Sequence, residues 1–310
     1  NLFENSVKNL PFINFEKTIK NNKKLLNRIE SLESKKYMVN YFPILIDSDV
    51  IGAISTFKDI ENVVEAEKIV RELWSKGLMA RYHIDNMLHK SPLMQEVVTK
   101  AKQFARTNST ILISGETGTG KEILAQSIHN LSQRAKKPFV SINCASLPEQ
   151  LIESELFGYE QGAFTGAQKG GKPGLFELAH TGSIFLDEIS STSETVQKSL
   201  LRVLEQKQVR RIGGERLISV DLRIISATNT DLANDVATGN FRSDLFYRLN
   251  VLKIAIPPLR ERYTDIPLLV EHFIQKISAQ HENSPFCIPS SCLKILMQYS
   301  WPGNVRQLYN

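Results

Sequence analysis

Along residues 110–227 the apolar positions gather into four short runs, Thr110–Ser114, Phe139–Ile142, Ser183–Leu186 and Leu222–Ala227, separated by segments with helical spacing. Unbroken apolar runs of this length read as strands buried on both faces, and their alternation with helices predicts an α/β fold built on a largely parallel sheet. After "IPPLRER" the pattern turns helical over Ile266–Ala279 and Pro289–Tyr299, and again at the start of "WPGNVRQLYN", which predicts a smaller all-α lid. Upstream, two β-rich runs, Tyr37–Ile46 and Val50–Phe57, flank the polar turn Asp47-Ser48-Asp49 as in an antiparallel hairpin. A hairpin alone is marginal in water, so a larger sheet is expected, with room for its other strands upstream of the chain. "KNNKKLLNR" and "SKK" read as solvated helix faces. Val63, Ala66, Val70 and Leu73 fall at 3-4-3 spacing on one helix face, a pattern shared by a coiled-coil seam and a connector helix packed on its neighbours.

One stretch follows neither period. "ELFGYEQGAFTGAQKGG", Glu155–Gly171, sets Tyr159 and Phe164 among glycines that weaken helix and strand alike. It predicts a surface loop. Gly162, Ala163, Thr165 and Gly166 offer too little apolar surface to anchor Phe164 in a core, so the ring is expected to meet a protein partner, where an aromatic buries a large rigid area.

The 310 residues are 42% hydrophobic and 23% charged, an ordinary globular composition able to build a sizeable core. No window approaches the length of apolar chain that spans a membrane and no secretory leader opens the sequence, so a soluble, cytoplasmic protein without a membrane partner is expected. Cys144, Cys287 and Cys292 lack the spacing of a disulfide framework or zinc site and read as reduced thiols. The formal charge of +5 is compatible with a nucleic-acid partner without pointing to one. The chain opens without methionine and stops soon after a helical start, as the middle of a longer protein would.

The densest chemistry is in "ILISGETGTGKE". An apolar strand ends at Ser114, and Gly115-Glu116-Thr117-Gly118-Thr119-Gly120-Lys121 opens a helix near Glu122, which is a phosphate-binding loop in its required context. Glycines let successive N–H groups curl around phosphate oxygens, the helix N-terminus adds a favourable dipole, and Lys121 neutralises the β and γ phosphates. Glu122 stands where Ser or Thr commonly offers Mg²⁺ a hydroxyl. "GSIFLDEI" then ends a strand in Asp187 and Glu188: one carboxylate can hold Mg²⁺ through water, and the next can orient the attacking water. Together the two motifs indicate ATP or GTP hydrolysis. "LRIISATNTDL" closes a third strand with Thr228 and Asn229, which can contact a γ-phosphate, although helix capping by Asn229 or Thr230 accounts for them better in isolation. Arg242 and Arg248 are either a solvated face or, in an oligomeric ATPase, groups reaching a neighbour's nucleotide.

Taken together with "GAFTGA" at Gly162–Ala167, these residues resemble the AAA+ ATPase domain of the bacterial enhancer-binding proteins that activate sigma-54 RNA polymerase. "SINCASLPE", "ESELFG", "SATN", "FRSDLFYRLNV", "PPLRER" and "WPGNVRQL" match as well, and the resemblance covers residues 84–310. It implies an α/β ATPase subdomain over 84–256 and a helical lid over 257–310, an ATP and Mg²⁺ requirement, a homo-oligomer in the form of a hexameric ring, and sigma-54 as partner through Gly162, Ala163, Phe164, Thr165, Gly166 and Ala167. Lys121 and the backbone from Gly115 to Glu122 would bind phosphates, Asp187 Mg²⁺, and Glu188 the water. Asn143 would restrain Glu188, Thr228 and Asn229 would form one nucleotide sensor, Arg306 a second on the lid, and Arg242 and Arg248 the arginine fingers acting in trans. The family also carries Glu at the eighth loop position, so Glu122 is a family feature. "QVRRIGGERLISV" is similar to its second surface loop, a hairpin turning at Gly213-Gly214. Two departures stand out: "TGS" at Thr181–Ser183 where "GGT" is usual, and His89-Lys90-Ser91 where a glycine is common before the serine; neither position carries phosphate chemistry.

Residues 1–60 resemble the last part of a PAS sensory domain, through "FPILIDSDVIGAISTFKDI", with 61–83 as connector helix and an unidentified sensory ligand. "GLMARYHIDNML" looks like the regulators grouped with propionate-catabolism activators. DNA binding through a C-terminal domain beyond this chain is implied by the family alone. A general remodelling ATPase of unfoldase or loader type would prefer a short aromatic pore motif to "GAFTGA", and a non-catalytic scaffold would be expected to have lost one of Lys121, Asp187, Glu188, Arg242 or Arg248.

Overall fold

The computed structural model describes residues 15–32, 35–46, 49–59, 77–163, 170–281 and 288–310, and the chain divides into two units, Asn1–Lys76 and Gly77–Asn310. In the first, helix α1 (Phe15–Asn21) precedes an antiparallel sheet of order β1-β2-β3, formed by Leu25–Leu32, Lys35–Ile46 and Asp49–Asp59. The expected hairpin is the β2–β3 pair, with Tyr41 opposite Ser55 and Phe42 opposite Ile54. Two expectations are corrected. The sheet's third strand lies inside the chain, and its first half, Leu25–Arg28, comes from residues read as a helix face: Leu25–Leu32 pairs with β2, Ile29 opposite Met38. Hydrogen bonding to β2 overrides the weak local preference of a charge-rich segment, and a strand at the sheet edge tolerates charges. Val39 and Tyr41, two apart and so on one face of β2, are fully buried. The heptad-like connector falls at residues 60–76, outside the described residues.

The second unit is built as the apolar runs predict. Ser91 caps α2 (Pro92–Ala105), accepting from the Met94 N–H, and β4 (Ile111–Ser114), α3 (Lys121–Asn130), β5 (Phe139–Asn143) and α4 (Glu149–Phe157) follow. A short stem of β6 (Gly158–Tyr159) and β7 (Lys172–Pro173) leads to α5 (Leu175–Leu178), β8 (Ser183–Asp187) and α6 (Glu194–Gln206). The hairpin β9–β10 (Gln208–Arg210, Leu217–Ser219), β11 (Arg223–Thr228), α7 (Leu232–Ala237), α8 (Ser243–Leu249) and β12 (Leu252–Ala255) complete it. The main sheet has the order β12-β4-β11-β8-β5 and every neighbouring pair is parallel. Alternate residues feed two cores: Leu112, Ile184, Leu186 and Ile224 pack on one face, Ile111, Ile113, Phe185 and Ile225 on the other. Strand β12 is an addition to the sequence expectation. Only Ile254 of its four residues is buried, so it gives no apolar run to read.

Because the strands are parallel, their C-terminal ends line one edge. Gly115 after β4, Asn143 and Asp187 closing β5 and β8, and Thr228 closing β11 therefore converge, in the crevice where α/β sheets bind ligands. The lid comprises a 3-10 segment (Leu259–Asp265), α9 (Ile266–His281), α10 (Ser290–Gln298) and α11 (Asn304–Tyr309) around Leu259, Ile266, Leu269, Val270 and Trp301. Among the described residues no helix is long and apolar enough to cross a membrane.

Candidate active site

Helix α3 starts one residue earlier than expected, at Lys121, with Gly120 ahead of it at φ +105°. The Lys121 side chain is buried and its Nζ donates to the carbonyls of Gly115 (2.8 Å) and Glu116 (3.2 Å). Burial holds its pKa below the ordinary lysine value; Asp187 and Glu188 oppose that shift and Arg306 adds to it. Three charged groups thus act on Lys121. Gly118 has φ +81° and is also crowded: a Cβ there would fall on the carbonyl oxygen of Gly303 from the lid. Only glycine satisfies both demands.

Asp187 lies opposite Asn143 in the β5–β8 ladder, and its carbonyl accepts from the Cys144 N–H at 2.9 Å. Glu188 sits in the left-handed region (φ 53°, ψ 46°), heading a 3-10 turn at Ile189–Ser191, with its N–H donating to Asp187 Oδ1 at 3.0 Å. A glutamate in that conformation is costly and marks a position held by its surroundings. Asn143 is expected on Glu188; in this structure its Oδ1 accepts from the Ala145 N–H at 2.8 Å, closing a local turn. Thr228 is buried and its hydroxyl reaches Ser190 Oγ at 3.4 Å, which ties the end of β11 to the Glu188 turn; Ser190 carries no sequence signal. Capping of α7 falls to Asp231, which accepts from the Ala233 N–H, and not to Asn229 or Thr230. Asn229 instead donates to Thr117 Oγ1 of the phosphate loop at 3.4 Å.

Among the described residues no group of three or more His, Cys, Asp or Glu side chains surrounds a metal position. Mg²⁺ bound to a nucleotide is held largely by phosphate oxygens and water and needs one or two carboxylates, so Asp187 fits that requirement. Glu122 is turned along its helix, accepting from Gln126 Nε2 at 3.1 Å. Arg306, on α11, approaches through its backbone N–H, 3.3 Å from the Gly118 carbonyl.

Arg242 precedes α8 and is fixed by Asp244 (2.7 Å) and Glu194 (3.5 Å); the Asp244 hydrogen bond raises its pKa further. Arg248 is exposed and pairs with Glu205 at 3.2 Å. Burial pushes the Cys144 thiol up to about 12, an inert group, whereas Cys292 is exposed and Cys287 lies outside the described residues.

Phe164, Thr165, Gly166 and Ala167 lie outside the described residues, while Gly162 and Ala163 are placed at the end of the stem. The stem continues α4: Phe157 packs on Phe176 with ring centroids 5.3 Å apart, and Tyr159 pairs with Lys172. The hairpin turning at Gly213-Gly214 lies against it, as the Glu160 N–H donates to the Ile212 carbonyl and the Ile212 N–H to Gly158. Gly213 (φ +72°) is close enough to Ala163 that a Cβ would collide with it. Arg211 locks the pair of loops, forking onto Glu177 (2.7 and 2.8 Å) and reaching Glu160 (3.4 Å). Neither Arg211 nor Glu177 is marked by the sequence, because their contact spans 34 residues.

Comparison with known proteins agrees with this geometry. Residues 87–255 match the sigma-54 interaction domain and residues 260–310 the AAA+ ATPase lid domain. The chain is 51% identical to a Nif-specific regulatory protein of Herbaspirillum seropedicae over 76% of its length, and 47% identical to a signal-transduction and transcriptional-control protein of Clostridium beijerinckii over 90%. It spans 43% of each of these relatives. The crystal structure of NtrX from Brucella abortus in complex with ATP superposes with a TM-score of 0.69 at 38% identity, covering 81% of this chain and 53% of that one. With a phosphate loop, a carboxylate pair and a helical lid on this sheet order, the chain belongs to the sigma-54 interaction domain family of AAA+ ATPases.

Proposed function

We propose that this chain is the motor of a cytoplasmic transcription activator, using ATP hydrolysis to remodel sigma-54 RNA polymerase at a closed promoter. The observation that carries the reading is the meeting of buried Lys121 with Asp187, Glu188 and Arg306 at the sheet edge, one helix away from the stem that carries Gly162–Ala167. In this reading Gly115–Glu122 cradles the phosphates, Lys121 neutralises them, and Thr228, Asn229 and Arg306 register the γ-phosphate. Mg²⁺, held by Asp187 through water, would offset charge on the phosphates. Glu188 orients the attacking water, and Asn143 releases its local turn to restrain Glu188 in one nucleotide state.

Arg242 and Arg248 act on a neighbouring subunit's nucleotide in a hexameric homo-oligomer. Each is held at the surface by its own carboxylates and neither bonds the phosphate loop of its own chain among the described residues. The nucleotide signal passes from Glu188 and Asn143 along α4 to the stem, and Phe164 and Thr165 meet sigma-54. Residues 1–60 form part of a PAS-like sensor for an unidentified ligand, and a C-terminal domain beyond this chain binds DNA. The test is ATP binding and turnover on two variants. Glu188→Gln should bind ATP and lose at least about 10² in turnover; Lys121→Ala should lose binding itself. Wild-type turnover in the first or wild-type affinity in the second contradicts the assignment.

A further inference from the structure

In a trans peptide the carbonyl of one residue and the N–H of the next point in opposite directions. A loop that must aim its N–H groups at an anion therefore has to dispose of its carbonyls on the other side, and each carbonyl needs a donor if it is buried. In this chain the donors come from the lid. The Thr117 carbonyl accepts from Asn304 Nδ2 at 3.1 Å. The Gly118 carbonyl accepts from the N–H groups of Val305 (3.1 Å) and Arg306 (3.3 Å), and the Thr119 carbonyl from Arg262 Nη2 at 3.1 Å. Three consecutive carbonyls are thus drawn outward, which turns the N–H groups of Gly118, Thr119 and Gly120 to the opposite side. That is the side of Lys121: the Glu116 carbonyl, which accepts from Lys121 Nζ, also lies 3.4 Å from the Thr119 N–H.

The side chain of Glu116 completes the attachment. Its carboxylate takes both arms of Arg260, at 2.6 and 2.9 Å, and a third bond from Asn304 Nδ2 at 3.1 Å. These bonds, Arg260 first, hold the carboxyl below its ordinary pKa, so it stays ionised at neutral pH. Glu116 therefore points at the lid and away from any phosphate. Asn304 is itself fully buried at φ +53°, and its Oδ1 accepts from the Leu259 N–H at 2.7 Å, so one amide joins the phosphate loop to both ends of the lid.

We propose that the lid is an orienting part of the phosphate-binding loop, with Arg260, Arg262 and Asn304 as positioning residues that act through the Glu116–Thr119 backbone and touch no nucleotide. This rests on the reading that the loop binds ATP. It predicts that nucleotide affinity depends on lid residues on the far side of the loop from Lys121, and that lid docking and phosphate binding strengthen each other.

Calorimetric titration with ATP tests this on the wild-type chain, Lys121→Ala, Arg260→Ala, Arg260→Glu, Asn304→Gly and the charge exchange Glu116→Arg/Arg260→Glu, each with a thermal melt. Asn304→Gly keeps the left-handed backbone while removing the amide, and Arg260 is 45% exposed, so its truncation leaves the core intact. The expected result is ATP affinity about tenfold weaker in Arg260→Ala and in Asn304→Gly, with partial recovery in the charge exchange relative to Arg260→Glu alone. A folded Arg260→Ala chain that binds ATP as tightly as wild type overturns the inference, and this variant decides the matter where Asn304→Gly melts early. Wild-type affinity in Lys121→Ala, by contrast, overturns the nucleotide reading beneath it.

Discussion

Helix α4 joins two regions built on different principles. At its start lies the nucleotide edge, where Lys121 is buried, Glu188 is held in a left-handed conformation and the loop carbonyls are bonded to the lid. At its end lies the stem of the surface loop, held from outside by Arg211 on Glu177 and Glu160, with Gly162 at φ +83° and, among the described residues, nothing within 4 Å of a Cβ placed there. The first region fixes charges in a partly dry setting, where small displacements change their interaction strongly. The second braces the stem through Tyr159, Glu160 and Lys172, and in the function proposed above the loop it carries meets a partner. Chemistry and presentation are thus separable, and substitutions should separate them.

The largest effect should come from Arg242 and Arg248, the groups proposed to act on a neighbouring subunit's nucleotide. Arg242→Ala and Arg248→Ala should each reduce ATP turnover by at least about 10², against the roughly 10³–10⁵ an arginine finger contributes in GTPases, while ATP binding to one subunit is retained. Mixing either variant with Lys121→Ala subunits should restore part of the turnover, because each lacks a different half of a shared site; mixed rings without recovery would show that the arginines act within their own subunit.

Acid should loosen the sheet beneath the nucleotide edge. At the far end of α3, His129 is fully buried, with Nδ1 2.9 Å from Ser183 Oγ, and burial lowers its pKa to about 4. The unfolded chain then binds more protons than the folded one between about pH 6.5 and 4. Stability from this residue is complete above the upper value and is lost as pH falls toward the lower, by about 3 kcal/mol. Urea unfolding across that window should follow this slope, and His129→Gln should flatten it; equal slopes would remove His129 as the cause.

At the other end of α4, Arg211→Ala should leave turnover within a few fold yet weaken sigma-54 binding about tenfold, since it frees the stem without touching the nucleotide edge. Parallel losses in both assays would show that the two regions are not separable. The smallest effect concerns Thr181, the "TGS" departure from the usual glycine. It has φ +65°, where a β-branched residue is strained, and its N–H is tied to the Asp221 carbonyl. Thr181→Gly should raise stability by about 1 kcal/mol in denaturant titration without altering turnover.

The sequence was readable where physics is local. Strands β4, β8 and β11 are buried on both faces and so appear as apolar runs, the edge strand β5 is legible from Phe139, Val140 and Ile142, and the phosphate loop and Asp187–Glu188 follow directly from their place after such strands. Strand β1 was hidden by its charges, and β12 by its length and exposure. The contacts joining Glu116 to Arg260 and Asn304 cross 144 and 188 residues, so no spacing rule finds them. The Asp231 cap was missed because three neighbouring polar residues could each have served, and only the helix start decides among them.

The central claim is that the nucleotide edge drives a loop whose aromatic meets sigma-54. The direct measurement is sigma-54 capture by the chain trapped with ADP and a metal-fluoride mimic of the transferred phosphate, comparing wild type with Phe164→Ala and Thr165→Ala and reading ATP turnover on the same preparations. The account predicts that both variants keep most of the turnover and lose sigma-54 binding. Normal capture of sigma-54 by Phe164→Ala would contradict it, as would unfolding of that variant, which would make the ring part of the core.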